Sequence, residues 1–164
     1  MVVLDEKITE LWELIKEVPD PEIPVLTLTD LGIVRGISMS DGEVEVTITP
    51  TYTGCPAMKV FEEDITSKLN ENGYQRVSIK TILSPAWSTD WMSEEGKEKL
   101  MKYGISPPKG SADKSALTGE AKEVPCPQCK SIKTNLVSQF GSTPCKALYK
   151  CSDCKEPFDY FKCI

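Results

Sequence analysis

The chain has 164 residues, of which 40% are hydrophobic and 27% are charged, so we expect packed domains rather than a disordered chain. Its net charge of −6 argues against a protein whose main task is to neutralise nucleic-acid phosphates. The sequence contains no histidine, which excludes Ser-His-Asp triads, Cys-His nucleophile pairs and histidine-ligated metals. Metal chemistry must therefore use sulfur and carboxylate ligands.

The chain contains seven cysteines. Residues 1–6 lack the basic start and apolar run of a signal peptide, and no apolar stretch is long enough to span a membrane. We therefore expect a cytoplasmic protein, in which clustered cysteines bind metal rather than form disulfides.

Residues 1–104 form the first predicted domain and carry 19 acidic and 10 basic side chains. Apolar residues at helical spacing predict an opening helix that the prolines of 19–24 end. The apolar residues are Leu4, Ile8, Leu11, Ile15 and Val18. Next, Asp41-Gly42 joins two alternating segments, 33–39 and 43–49, which predicts a β-hairpin. Its buried face would carry Val44, Val46 and Ile48.

A second helix is predicted from Pro56 to Asn72, ended by Gly73, and is followed by a strand at 76–83 and a helix at 93–103. The order α-β-β-α-β-α predicts an α+β sandwich, a three-stranded sheet with helices on one face. Residues 105–124 have few large apolar side chains and are predicted to be a linker. Residues 125–164 form the second predicted domain.

The second domain contains two Cys-x-x-Cys pairs, which are Cys126 with Cys129 and Cys151 with Cys154. Two such turns place four sulfurs around one ion, and strands predicted at 134–140, 146–150 and 156–163 make this a zinc ribbon. Rubredoxin-like iron has the same ligand geometry and stays open as an alternative, but redox-inert structural zinc is more typical of this spacing.

Two cysteines of the second domain, Cys145 and Cys163, belong to neither pair. Each is interpreted as a small buried side chain on a ribbon strand. The alternative is a second sulfur pair that helps to hold or transfer a metal cluster.

Cys55 is the candidate functional cysteine of the first domain. Because proline is favoured at the first helical position, Pro56 predicts Cys55 at the N-cap, where backbone N–H groups and the helix dipole favour a nucleophilic or metal-binding thiolate. The alternative is an inert buried cysteine. Asp20 and Glu22, held between prolines, are either a solvated turn or carboxylates for metal handling and partner contact.

Several segments resemble known families. Residues 20–26, 30–34 and 53–56 resemble the iron–sulfur assembly domain family that includes SufT. Residues 87–96, 103–108, 140–147 and 156–163 are similar to the PaaD family, the small accessory subunits of the phenylacetyl-CoA epoxidase system. The resemblance covers nearly the whole chain except the linker.

The resemblance implies an accessory maturation protein rather than an enzyme, acting on the epoxidase's reductase or oxygenase subunit. It implies that Cys55 is the key cysteine, that Asp20 and Glu22 form the acidic motif, and that the four paired cysteines hold metal. Cys55 offers one ligand, so a transient iron–sulfur cluster would need a second chain, the client, or Cys145 and Cys163. A homodimer that pairs two copies of Cys55 is one solution.

Three other functions compete with maturation. A structural bridge between oxygenase and reductase predicts that Cys55→Ala leaves client activity intact while loss of the ribbon cysteines does not. A thiol oxidoreductase would need a resolving cysteine close to Cys55 in sequence, and none occurs there. A nucleic-acid-binding ribbon is opposed by the acidic first domain. We therefore expect protein partners, with no nucleic acid and no membrane.

Overall fold

Two β-sheets organise the chain in the computed structural model, which describes residues 2–109 and 123–162. The chain divides into two compact units, Met1–Trp87 and Ser88–Ile164. Within the described part of the chain, no helix combines the length and the apolar character that crossing a bilayer requires.

The first unit is a layer of helices on a three-stranded sheet. In chain order it contains α1 (Val2–Ile15), β1 (Val34–Ser40), β2 (Glu43–Ile48), α2 (Met58–Glu71) and β3 (Val77–Thr81). The central strand β2 pairs antiparallel with β1 and parallel with β3. Helix α1 contacts α2 and β1, and α2 contacts β3. The predicted α+β class is confirmed.

The β1–β2 hairpin follows from its turn residues. Asp41 and Gly42 have φ angles of 50° and 76°, the two left-handed residues that a two-residue type I′ turn requires. This turn sets the register so that the predicted residues Val44, Val46 and Ile48 are fully buried. The predicted hairpin and its buried face are therefore confirmed.

The helices bury the faces that their apolar spacing predicts. Leu11 and Ile15 of α1 are buried, as is Val18 just beyond it, whereas the side chain of Leu4 lies outside the described residues. Helix α2 buries a matching stripe, Phe61, Ile65 and Leu69. Gly73, with φ of 93°, lets the chain turn away after α2 as predicted.

The second unit is built on a four-stranded sheet. It contains a 3₁₀ turn (Thr89–Trp91), α3 (Glu94–Tyr103), β4 (Ile105–Ser106), β5 (Thr134–Ser138), β6 (Lys146–Cys151) and β7 (Pro157–Phe161). The strand order is β4-β7-β6-β5, with β4 parallel to β7 and the other pairs antiparallel. Strands β5 to β7 are the ribbon strands that the sequence predicts.

The boundary between the predicted domains differs from the structure. Helix α3, assigned from sequence to the first sandwich, belongs to the second unit, where it contacts β4. The predicted linker 105–124 is also shorter, because Ile105 and Ser106 form β4 and Val124 is buried in the ribbon core. Residues 110–122 lie outside the described part of the chain. A two-residue strand and one isolated valine give no periodicity that a sequence could reveal.

Three aromatic side chains contact one another in the ribbon core. The ring of Tyr149 stacks on Phe158 at 6.0 Å and meets Tyr160 edge-on at 5.6 Å. Cys126 and Cys151 are buried in the same cluster. Because this core is small, a metal ion bound by these sulfurs would add to its stability.

Candidate functional site

Four cysteines of the ribbon converge on one point. The Sγ atoms of Cys126 and Cys154 are 3.6 Å apart, as are those of Cys129 and Cys151, and all four sulfurs lie within 4.8 Å of one another. A tetrahedron with zinc–sulfur bonds of about 2.3 Å has sulfur–sulfur edges of about 3.8 Å. The four predicted ligands therefore fit one tetrahedral metal ion, and none of the six described cysteines forms a disulfide.

The two cysteine pairs sit on equivalent turns. Lys130 follows the first pair and Lys155 follows the second, and their φ angles of 63° and 67° are both left-handed. Each turn is closed by a backbone bond to its first cysteine, since Cys126 N–H donates to Ser131 and Cys151 N–H donates to Glu156. The repeated geometry aims both sulfurs of each pair inward.

The two cysteines of the second pair have pKa shifts in opposite directions. N–H groups of Cys154 and Asp153 donate to the sulfur of Cys151 and lower its pKa to about 7 against the effect of burial. Glu156 N–H donates to Cys154, but burial and the neighbouring sulfurs outweigh it and raise the pKa of Cys154 to about 12. Four thiolates at this spacing repel one another, so a bound divalent cation is what allows all of them to ionise.

Cys145 is separate from the four-sulfur group. It is 5% exposed, and its sulfur lies 3.1 Å from the hydroxyl of Thr143. This agrees with the interpretation of a small buried side chain next to a ribbon strand. Cys163, proposed as its partner, lies outside the described residues.

Cys55 lies two residues before the helix cap rather than at it. The N-cap of α2 is Ala57, with no side-chain cap, and Met58 N–H donates to the carbonyl of Cys55 in a turn that precedes the helix. The predicted N-cap position is therefore wrong, because Pro56 belongs to this turn and not to the first turn of α2. Gly54, with φ of 82°, supplies the sharp bend before Cys55.

The environment of Cys55 favours the thiol over the thiolate. Its side chain is 7% exposed, and burial is the main cause that raises its pKa above the ordinary value of 9.0. Hydrogen bonds from Ala57 N–H and the Tyr52 hydroxyl oppose this effect, while the negative charges of Glu22 and Asp20 add to it. Burial thus works against the predicted thiolate, although the sulfur does receive a backbone N–H near a helix start.

Asp20 is a structural carboxylate within its loop. It is 6% exposed, and its Oδ1 accepts backbone N–H bonds from Glu22 at 2.8 Å and Ile23 at 2.7 Å. Glu22 is half-buried at the same turn. Asp30 closes the following turn in a similar way, since its Oδ2 accepts from Thr27 N–H. Asp20 therefore caps its turn but is buried rather than solvated, and its charge still reaches Cys55.

The fold thus brings together three of the predicted site residues from two distant segments. Asp20 and Glu22 lie close enough to Cys55 for their charges to act on its sulfur. Among the described residues, only the ribbon cysteines form a group of three or more potential metal ligands within 4.8 Å. Tyr52 was not singled out from the sequence; its position three residues before Cys55, across a turn, is the signal that could have indicated it.

Both halves of the chain match family models. Residues 8–80 match "Iron-sulfur cluster assembly protein", and residues 110–162 match "PaaD zinc beta ribbon domain". Together with the geometry above, these matches define a two-part protein in which an iron–sulfur assembly fold precedes a zinc-ribbon domain with four cysteines.

Curated relatives identify the family. The chain is 50% identical to a protein of Escherichia coli K12 that is named as a putative subunit of the 1,2-phenylacetyl-CoA epoxidase, over 96% of this chain and 94% of that protein. The chain therefore belongs to the PaaD family. It is also 37% identical to a "Fe-S protein maturation auxiliary factor" of Porphyromonas gingivalis, over 56% of this chain and 88% of that protein.

A solved structure supports the fold of the first half. A domain of unknown function, DUF59, from Bacillus anthracis superposes with a TM-score of 0.56 and 24% identity, over 60% of this chain and 95% of that one. This likeness concerns the fold alone.

Proposed function

We propose that this protein is an accessory maturation factor of a 1,2-phenylacetyl-CoA epoxidase complex in aerobic phenylacetate degradation. It assists iron–sulfur cluster or metal-centre assembly on a partner subunit, the reductase or the oxygenase, through Cys55. It is not itself the catalyst of epoxidation. The names of its relatives support this proposal, since one is a putative subunit of that epoxidase and another is a maturation factor.

The observation that carries the proposal is the grouping of Cys55 with Glu22 and Asp20. Burial, with smaller contributions from the two carboxylates, raises the pKa of the bare Cys55 thiol, so the unloaded protein keeps its sulfur protonated. The same negative charges attract an iron cation, and a bound cation stabilises the thiolate. The sulfur is thus protected when empty and becomes a ligand when iron arrives.

Iron enters this site as cargo, through ligand exchange. The S–H bond of Cys55 breaks as its sulfur bonds to iron, and the thiolate that leaves the iron on the donor protein takes the proton. No change of oxidation state is required. Hydrogen bonds from Ala57 N–H and Tyr52 to the Cys55 sulfur stabilise the bound thiolate.

Cys55 can supply only one sulfur to a cluster. One oxygen of Asp20 is engaged by two backbone N–H groups, which leaves few donors in this loop. A cluster at Cys55 would therefore be shared with the partner subunit, and this suits transfer better than storage. A zinc ion in the ribbon supplies a fixed positive charge that holds the four thiolates and their two turns.

A purely structural bridging role between oxygenase and reductase is the second candidate. The observation that favours it is the burial of Cys55, whose thiol is not kept in a reactive ionised form. Under this alternative the loop of Asp20 and Cys55 would serve only packing.

Anaerobic cluster loading of the purified reductase distinguishes the two functions. We expect Cys55→Ala to lower the iron and acid-labile sulfide that the reductase acquires by about tenfold, since the transfer ligand is lost. Cys145→Ala is the matched control, because Cys145 is about as buried as Cys55 and belongs to the second unit. Full loading by both variants would favour the bridge and contradict maturation.

A further inference from the structure

Strand β5 presents an apolar surface at the edge of the ribbon sheet. The strand order places β5 at the end of the sheet, paired on one side with β6. Four of the large exposed apolar side chains fall within nine residues of chain here: Ile132 (51% exposed), Leu136 (47%), Val137 (57%) and Phe140 (62%). We call these four residues the β5 patch. Grouped exposed apolar side chains are typical of interaction sites, whereas scattered ones are ordinary.

A β-bulge shapes this patch. The register with β6 shifts between Leu136 and Ser138, so Val137 is the extra residue of the strand. Successive side chains of a regular strand point to opposite faces, and the bulge breaks this alternation at the patch. A bulged edge is a poor template for open-ended strand addition. The patch is therefore suited to a side-chain interface with a defined partner.

Lysines outnumber acidic residues around the patch. Between residues 124 and 162 the chain contains six lysines and three aspartates or glutamates. Lys133, which immediately precedes β5, pairs with Asp153 at 3.7 Å, whereas Lys150 is exposed opposite Asn135. The ammonium group of Lys162 lies 4.3 Å from the centre of the Phe140 ring. Carboxylates of a partner would complement this rim.

We propose that the β5 patch is the docking site for a client subunit. The matching surface of that subunit is apolar and is rimmed by carboxylates. A second copy of the patch would place like charges opposite each other, which disfavours self-pairing. Nucleic acid fits less well because the centre is mainly aliphatic and offers few stacking rings, and the whole chain is acidic. The choice of client rests on the proposed function, since the epoxidase subunits are its partners there.

Binding of zinc-loaded full-length protein to the purified reductase and oxygenase subunits tests this surface. We expect Leu136→Ser/Val137→Ser/Phe140→Ser to weaken binding to one of them by about tenfold or more. Leu83→Ser is the matched control, because Leu83 is 57% exposed and lies in the first unit. It should change the dissociation constant by less than about twofold.

Two further variants keep the test decisive. Phe140→Ser alone lies beyond the paired residues of β5, so it should weaken binding without loss of zinc or secondary structure. Lys150→Glu should weaken binding more at about 50 mM salt than at about 300 mM, because salt screens rim charges.

Equal binding by wild type and the patch variants would overturn the proposal, as would binding of wild type to neither subunit. Patch-dependent dimerisation, or patch-dependent binding of a single-stranded oligonucleotide, would also overturn it. The maturation function has its own test, since Cys55→Ala should impair cluster loading while binding through the patch stays normal. If Cys55→Ala impairs cluster loading but binding does not depend on the patch, the proposed function is retained and only the proposed docking surface is wrong.

Discussion

The two sulfur sites of this protein differ in how many donors the fold brings to one point. The ribbon gathers four sulfurs within 4.8 Å, whereas Cys55 stands with two carboxylates whose charges oppose its ionisation. A complete tetrahedral ligand set retains its metal, while a single sulfur can only share one. The comparison teaches that ligand number, rather than sulfur alone, separates the four-sulfur site of the ribbon from the transfer site that we propose at Cys55.

Loss of one ribbon ligand is expected to have the largest effect. Cys151→Ser should remove bound zinc and unfold the ribbon strands, because structural zinc contributes about 10–16 kcal/mol of apparent binding free energy in small domains. Zinc content per chain and the near-ultraviolet circular dichroism of the Tyr149 cluster measure this. Cys145→Ser should keep both signals. A Cys151→Ser protein that folds without metal would contradict a structural role for the ribbon site. Iron in the purified wild type would show that the site binds iron rather than zinc.

Removal of the loop carboxylate should have a moderate effect on stability. Asp20→Ala leaves the N–H groups of Glu22 and Ile23 without their acceptor, so we expect a loss of about 1–3 kcal/mol in the free energy of unfolding. Glu22→Ala should cost less than about 0.5 kcal/mol. Urea denaturation followed by circular dichroism provides both values. Equal costs for the two variants would show that Asp20 has no special structural role.

The left-handed turn residues of the ribbon should show a smaller effect. Lys130→Val places a β-branched side chain at φ of 63° and removes the hydrogen bond from the Lys130 ammonium to the Pro127 carbonyl, so we expect a loss of about 1–2 kcal/mol. Lys130→Gly should change stability by less than about 1 kcal/mol, because relief of strain is offset by greater chain entropy in the unfolded state. Thermal unfolding of the zinc-loaded protein measures the difference, and the reverse order of the two variants would contradict it.

The pH dependence of Cys55 should show the smallest effect. Its alkylation by iodoacetamide should follow the thiolate fraction, and the midpoint of the pH profile should lie above the ordinary value of 9.0, because burial raises the pKa of the thiol. Glu22→Gln should move the midpoint of this profile to lower pH, and Tyr52→Phe should move it to higher pH. The raised pKa stabilises the fold fully below pH 9.0, and this contribution is lost as pH rises through the folded-state pKa.

A control for this profile is labelling at Cys55 in the zinc-loaded protein, where the ribbon sulfurs are occupied by metal. A midpoint below pH 9.0 would mean that the helix start and Tyr52 dominate over burial, and the unloaded site would then be a reactive thiolate.

Local sequence rules were sufficient for several elements. Asp41-Gly42 determines the hairpin turn through backbone sterics, and the 3.6-residue spacing of Phe61, Ile65 and Leu69 determines the buried face of α2. The two Cys-x-x-Cys pairs likewise indicate four ligands, because each pair forms its own short turn. These features depend on neighbours within a few residues.

Features that depend on distant residues could not be predicted in this way. The N-cap of α2 is Ala57 and not the predicted Cys55, because Pro56 belongs to a turn that precedes the helix. Strand β4 pairs with β7, which places Ile105 opposite Asp159, more than fifty residues away in sequence. Helix α3 contacts β4 and therefore belongs to the second unit. Short strands leave too weak a periodic signal to compete with such contacts.

By itself, the sequence determined the α+β class, the two-part organisation and the chemistry available, which is sulfur and carboxylate without imidazole. Tertiary structure alone decided the ionisation of Cys55, because burial requires the folded chain and the charges of Glu22 and Asp20 come from a segment more than thirty residues away. Turn geometry is local and can be inferred from neighbouring residues, whereas desolvation and charge proximity exist only once the chain has folded.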